Sequence, residues 1–141
     1  MDKHRSRCPV NLALEIFGDK WTLLIIRDIM FAQKQTFREL LQSEEKIATN
    51  ILADRLKRLE KQGVLRASAD PGHQQKIIYR LTEKGIDLLP ILVEIGSWSL
   101  QHEPVDVKKH QHAVQLVAGG KALQRKVRKE LTGDHLKRNQ H

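Results

Sequence analysis

Residues 49–81 read TNILADRLKRLEKQGVLRASADPGHQQKIIYRL. Leu52, Leu56 and Leu59 recur at helical spacing with Ile51 beside them, and Gly63 stands where a helix end wants a left-handed residue. Residues 49–62 are therefore predicted helical. Val64–Ser68 and Lys76–Leu81 are short β-rich runs around Asp70-Pro71-Gly72, a turn signal. A helix running at once into a hairpin with a projecting tip is the second half of a winged helix-turn-helix, provided that a short helix precedes it.

That short helix is signalled by Thr36-x-x-Glu39, a capping box that starts a helix over 37–42. Further upstream, Asp19 can cap a helix over 20–31. Trp21, Leu24, Ile25 and Ile29 line one face of it, and Leu23, Ile26 and Met30 widen that face, which marks a buried central helix. Cys8–Gly18 reads as a short first helix with Pro9 at the favoured first position. Downstream, Thr82 can cap a long helix from Glu83 to about Gln101 that Pro90 should kink. The predicted order is four helices, a hairpin and a helix, an α+β, mostly helical winged helix-turn-helix.

The chain has 141 residues, 40% hydrophobic and 30% charged, enough for one domain with a core plus an appendage. Its formal charge is +8, which favours an anionic partner. Residues 1–103 hold 16 basic and 14 acidic side chains, whereas 104–141 hold 9 and 3. Pro104 breaks the helical pattern, and beyond it a thin Leu116, Leu123, Val127, Leu131 stripe is interrupted by Gly119-Gly120. The predicted domain is thus 1–103, followed by a basic extension over 104–141, helical or partly disordered. The longest stretch without Asp, Glu, Lys or Arg is 110–120, short of the ~20 apolar residues of a spanning helix, so no membrane partner is expected. Glu15 and Asp19 arrive before a signal-peptide apolar region can form, so a cytoplasmic protein is expected. A single cysteine, Cys8, excludes an intramolecular disulfide.

On the helix over 49–62, Thr49, Asn50, Asp54, Lys57 and Arg58 face away from the leucine stripe. Asn can pair with adenine, Thr can meet bases or a thymine methyl, and Lys or Arg can bind guanine or phosphate. An ordinary solvated helix has the same polarity, so the neighbouring hairpin shifts the balance. Its tip offers His73, Gln74, Gln75 and Lys76 with no acidic residue among them, as a wing lying on phosphates requires. Thr36, Arg38 and Arg55 complete the candidate DNA-contacting set. Winged helices also dock proteins, and on the residues alone that alternative stays open. No Gly-rich phosphate loop, no Ser/His/Asp or Cys/His/Asn set and no four-ligand zinc spacing appears, so no enzyme, cofactor or metal site is expected. A thiol peroxidase using Cys8 is the remaining catalytic rival.

Across residues 7–103 the sequence resembles the HxlR family of bacterial winged-helix transcription regulators. The resemblance rests on five ordered blocks: Cys8-Pro9-Val10, Gly18–Asp28 (GDKWTLLIIRD), Phe37–Leu40 (FREL), Leu52–Gly63 (LADRLKRLEKQG) and Tyr79–Gly85 (YRLTEKG). It implies a homodimer on an inverted-repeat operator, the helix over 49–62 as reader, residues near 70–76 as wing, and first and last helices as dimer interface. Several members of that family sense electrophiles or oxidants through this N-terminal cysteine. Two departures stand out: Ala48 occupies the position of a common Ser cap, and the wing turn lacks the family's usual additional proline.

Two further signals agree with that implication. The last helix carries two apolar stripes, Leu88, Leu92, Ile95, Trp98 and Ile86, Leu89, Val93, Leu100, where its own core needs one. Either a partner covers the surplus stripe or a larger core does. With Val10 and Leu14 of the first helix, the first stripe forms the candidate dimer interface. Cys8 directly precedes a helix N-terminus and lies near Lys3, His4, Arg5 and Arg7, a setting that favours thiolate and makes it the candidate sensor for a small electrophile or oxidant. A small inert hydrophobe is the plainer alternative.

Overall fold

Ile25, Ile26, Ile29 and Met30 are all buried on α2 (Thr22–Phe31), and the first part of the chain is built around them. The computed structural model describes residues 3–136, and the side chains of His73 and Gln74 also lie outside what it describes. α1 (Pro9–Phe17) starts at its proline, whose fixed φ and missing N–H suit a first helical position. α3 (Phe37–Leu40), α4 (Thr49–Lys61) and the antiparallel hairpin β1 (Leu65–Asp70) and β2 (His73–Leu81) follow. α2 packs on α1, α3 and β2, while α4 packs on α3 and β1. Leu52, Leu56 and Leu59 on α4 and Leu65 and Leu81 at the base of the hairpin close the core. The predicted mostly helical winged helix-turn-helix is the fold observed.

The helix ends are set by identifiable side chains. Asp19 caps α2, accepting the N–H groups of Trp21 and Thr22 at 3.1 Å each, so the helix starts at Thr22 rather than at the predicted Lys20. Thr36 and Glu39 form the expected capping box on α3. α4 ends before Gly63, whose φ of +75° suits glycine. The turn from α3 to α4 is pinned to α2: Arg27 binds both carboxylate oxygens of Glu45 at 2.7 Å, and Lys34 donates to the Gln42 carbonyl at 3.0 Å. Within the turn the Ser43 hydroxyl accepts the Ile47 N–H at 3.2 Å.

The strands pair from Leu65↔Leu81 to Ala69↔Ile77, then shift register so that Asp70 meets His73. Gln74–Lys76 are extra residues on the β2 side of that shift. The hairpin's root is fixed a second way, because the Tyr79 N–H donates to the Gln35 carbonyl at 2.7 Å. This bond lies outside the ladder and ties β2 to the segment leading into α3.

Packing divides the chain between Leu81 and Thr82, earlier than the expected boundary near residue 103. The second unit contains α5 (Glu83–Ile86), α6 (Leu89–His102), α7 (Gln111–Ala118) and α8 (Gly120–His135). The predicted single helix over 83–101 is therefore two. Thr82 caps α5, accepting the Gly85 N–H at 3.2 Å, and Pro90 begins α6 instead of kinking a continuous helix. A proline lacks the N–H that a helix interior needs and is accommodated in a first turn. α7 and α8 both pack on α6, and the joint between them uses Gly120 at φ +63°. Ile86, Leu88, Leu89, Val93, Leu116 and Leu131 are buried here.

Asp19 supplies a pH-dependent part of this stability. Partial burial would raise its pKa, but hydrogen bonds from the Thr22 hydroxyl, Arg55 and the Trp21 N–H outweigh that and bring it from 3.8 to about 2. A carboxylate with a depressed folded-state pKa stabilises fully above its unfolded value, and the contribution is lost as pH falls through the folded one. Asp19→Asn is expected to lower stability by about 1–3 kcal/mol at pH 7. The deficit should shrink as pH drops from 4 towards 2, as read by urea unfolding across that range.

Candidate nucleic-acid interface

Because Leu52, Leu56 and Leu59 hold α4 against the core, the opposite side of the helix presents Thr49, Asn50, Ala53 and Lys57, all exposed. Ala53 was not singled out by sequence reasoning. Its small side chain lies between Thr49 and Lys57 at helical spacing, and such a residue lets a helix approach bases closely or touch a thymine methyl. The N-cap residue Ala48 makes no side-chain hydrogen bond, so no side chain at that position occupies the first N–H groups of α4.

Charged residues on α4 divide by what they touch. Arg55 is largely buried, with Nε donating to Asp19 at 2.9 Å and Nη1 donating to Asp54 at 2.5 Å. Its expected place among the DNA contacts is corrected: it faces inward and joins α4 to the start of α2. Asp54 also takes Arg58 Nε at 3.0 Å, so it orients Arg58, whose side chain remains 68% exposed. Lys57 points outward. Thr36 is likewise corrected. It is only 8% exposed, and its hydroxyl accepts the Glu39 N–H at 3.2 Å while Glu39 accepts the Thr36 N–H at 3.0 Å. The fold needs that hydroxyl for the cap.

Arg38 is exposed on α3 and shares a groove of about 720 Å³ with Gln75, Lys76, Ile77 and Tyr79 of β2. Glu39 lines it too, with a carboxyl lowered first by the Gln35 N–H and further by the Lys76 charge. The groove thus brings together two cations, Arg38 and Lys76, that lie far apart in sequence. Ile77 is 48% exposed there and was missed, since its place in an apolar strand run reads as core. Gln75 and Lys76 are exposed, while the side chains of His73 and Gln74, also expected on the wing, lie outside the described residues.

Cys8 is exposed at the N-cap of α1. The N–H groups of Asn11 and then Val10 lower its pKa. The neighbouring basic residues contribute differently from expectation. His4 Nδ1 lies 2.6 Å from Glu15, and Arg5 Nη2 donates to Asn11 at 2.6 Å. The Arg5 N–H and the Asn11 amide also donate to Glu15, at 2.9 and 2.8 Å. These contacts fold the arm before Cys8 back along α1.

Of the candidate dimer residues, Val10 is 66% and Leu14 47% exposed on α1, and Ile95 is 45% and Trp98 58% exposed on α6. Leu92 is half-buried. Leu88 is corrected, being buried within its own chain, and Ile91 joins the exposed set in its place. The other stripe is the core-facing one, with Ile86, Leu89 and Val93 buried.

A family model of HxlR-like helix-turn-helix proteins matches residues 16–107. The HTH-type transcriptional regulator YodB of Bacillus subtilis is 36% identical over 103 residues, which span 72% of this chain and 91% of YodB. Among solved structures, the putative transcription factor PA1607 superposes with a TM-score of 0.65 at 37% identity, covering 72% of this chain and 70% of that one. Reduced YodB superposes at 0.59 and 34% identity, covering 72% of this chain and 100% of YodB, which has also been solved diamide-treated and quinone-bound. The redox regulator HypR in its oxidised form superposes at 0.58 and 31% identity, covering 70% of this chain and 100% of HypR.

The division between inward and outward polar groups has a direct readout. Thr36→Ala is expected to cost ~1 kcal/mol as a lost cap, and Arg55→Ala about 1–3 kcal/mol as a lost charged hydrogen bond. Asn50→Ala and Lys57→Ala should stay within about 0.5 kcal/mol of the parent. Urea unfolding of the four variants separates the two groups.

Proposed function

The chain belongs to the HxlR-like helix-turn-helix family and is a DNA-binding transcriptional regulator, not an enzyme; from that premise we propose that it is a homodimeric repressor whose hold on an inverted-repeat operator is switched by modification of Cys8. The observation that carries the switch is the exposed Cys8 thiol at the first turn of α1, with helix N–H groups lowering its pKa. A thiolate is the nucleophilic form and adds to a quinone carbon or reduces an oxidant more readily than a thiol. Similarity to YodB, solved in quinone-bound form, and to the redox regulator HypR supports that reading. Cytoplasmic reducing conditions would keep the unmodified thiol available.

In this reading residues 1–103 bind DNA and dimerise, and 104–141 form an extension. Asn50, Thr49, Ala53 and Lys57 read base edges in the major groove, Arg58 and Arg38 meet the backbone, and Gln75 and Lys76 on the wing lie on phosphates. A two-fold pair of α4 helices would address half-sites ~34 Å apart on one face of the duplex. Dimerisation is supported by apolar exposure on two helices: Val10 and Leu14 are followed along the chain by Ile91, Ile95 and Trp98. Cys8 lies two residues from Val10, so an adduct or an interchain disulfide would bear on the packing of α1 and hence on the spacing of the two readers. No described helix is long and apolar enough to cross a membrane.

Selection from a random duplex pool with the untreated protein, the alkylated protein and Cys8→Ser tests the switch. An inverted repeat is expected from the untreated protein and from the serine variant, with recovery lost on alkylation of the parent alone. Equal loss in Cys8→Ser would remove the sensor role. Asn50→Ala should relax preference at its base by about 1–3 kcal/mol without abolishing binding.

Dimerisation has its own check. Trp98→Glu would bury a charge if the α6 face is covered, so light scattering is expected to show the parent at twice the protomer mass and the variant shifted to monomer. A parent that stays monomeric at all concentrations would exclude the dimer.

A further inference from the structure

The family match ends at residue 107, before α7 and α8 begin. α8 is amphipathic in an unequal way. Leu131 is buried, Leu123 and Val127 are half-buried, and the helix packs on α5, α6 and α7. Its outward side carries Lys121, Arg125, Lys126 and Lys129, all exposed. By helix geometry these four span one continuous arc containing Ala122, Thr132 and Gly133, with Glu130 and Asp134 on its flank. Lys121, Arg125 and Lys129 follow one another at four-residue steps, ~6 Å apart along the axis. Arg128, about 20° from Lys121 around the helix, differs in being ion-paired: its Nη2 binds Asp87 at 2.5 Å. Among the described residues none of the four outward cations is ion-paired.

We propose that this face of α8 is a phosphate-tracking surface that adds sequence-independent affinity for duplex DNA to the sequence reading by the winged helix. The proposal rests on the chain being a DNA-binding regulator. Three observations favour DNA as occupant. The apolar side of α8 is already used in packing, so none remains to insert into a lipid surface. The basic arc contains no large apolar residue of the kind that anchors a protein interface. The face also belongs to a chain of a DNA-binding helix-turn-helix family, so duplex DNA is the polyanion this protein already meets. Counterion release from each phosphate contact then contributes to binding on any sequence.

The test uses the full chain with Lys121, Arg125, Lys126 and Lys129 all changed to Gln, a good helix former, and folding checked by circular dichroism. Binding to a selected operator and to a scrambled duplex is measured from 50 to 300 mM salt. The slope of log K against log salt is expected to become shallower by about 1 to 4 per protomer, at ~0.9 per phosphate contact, on both duplexes alike, leaving their affinity ratio unchanged. Single variants Arg125→Gln and Arg128→Gln remove the same charge, the first from an outward cation and the second from one already paired with Asp87. The first should lower the slope and the second should not, and they decide the matter even if the quadruple variant folds poorly. A slope unchanged in the quadruple variant, or lowered equally by Arg128→Gln, overturns the proposal while leaving the winged helix as the DNA reader. A parent that binds neither duplex would overturn both.

Discussion

One carboxylate, that of Asp19, sits at the joint on which the arrangement of α4 depends. It accepts the first N–H groups of α2, the Thr22 hydroxyl at 2.5 Å and Arg55 Nε at 2.9 Å. Arg55 in turn holds Asp54, and Asp54 holds Arg58. A chain of charge-assisted hydrogen bonds thus runs from the central core helix to the outward face of α4. Removing Asp19 would leave the largely buried Arg55 without that partner, which is costlier than the loss of an exposed pair such as Asp54–Arg58. The leucine stripe fixes how deeply α4 packs; the Asp19–Arg55 contact adds a directional constraint that apolar packing alone does not supply.

What the sequence made legible were interactions between near neighbours. The capping box at Thr36 and Glu39, the Leu52, Leu56, Leu59 stripe, Gly63 as helix stop and Pro9 as helix start all involve residues within one or two turns, and all are found. Contacts closed by the fold were not legible. Arg55 and Asp19 are 36 residues apart, Arg27 and Glu45 are 18 apart, and Tyr79 reaches back to Gln35. For that reason Arg55 and Thr36 read as groove contacts although one is an internal tie and the other a cap. Pro90 was ambiguous on local grounds, since a proline can kink a helix or begin one. The capping bond of Thr82 made the short α5 a complete element, and α6 then starts at Leu89 with the proline in its first turn.

The wing combines a fixed root with an irregular tip. Its ladder is regular up to Ala69↔Ile77, and the Gln35 carbonyl holds Tyr79 from outside the sheet. Beyond that point β2 has residues with no direct ladder partner, and Gln75 and Lys76 among them are exposed. A bulge of this kind re-aims side chains and ends pairing. It places Lys76 across the groove from Arg38, so helix α3 and the wing present their cations to one ligand surface. The β-rich runs Val64–Ser68 and Lys76–Leu81 predict the root; the register shift at the tip depends on how the turn closes, and the Asp70-Pro71-Gly72 signal does not specify it.

The N-termini of α4 and α1 have one feature in common. In the unit up to Leu81, α2 and α3 have their first N–H groups satisfied by Asp19 and Thr36, and both ends are packed into the structure. The other two helices lack an oxygen side chain at the cap: α4 begins after Ala48 and α1 after Cys8. A missing cap costs ~1 kcal/mol, so it weighs on stability at both places. At α4 such N–H groups, with the helix dipole, would favour a phosphate. At α1 they face a thiol, and the ion they favour is the thiolate. The unit is thus capped where helices serve the core and left without an oxygen cap at the two N-termini where an anion, one from DNA and one on its own sulfur, is the chemistry that the proposed function requires.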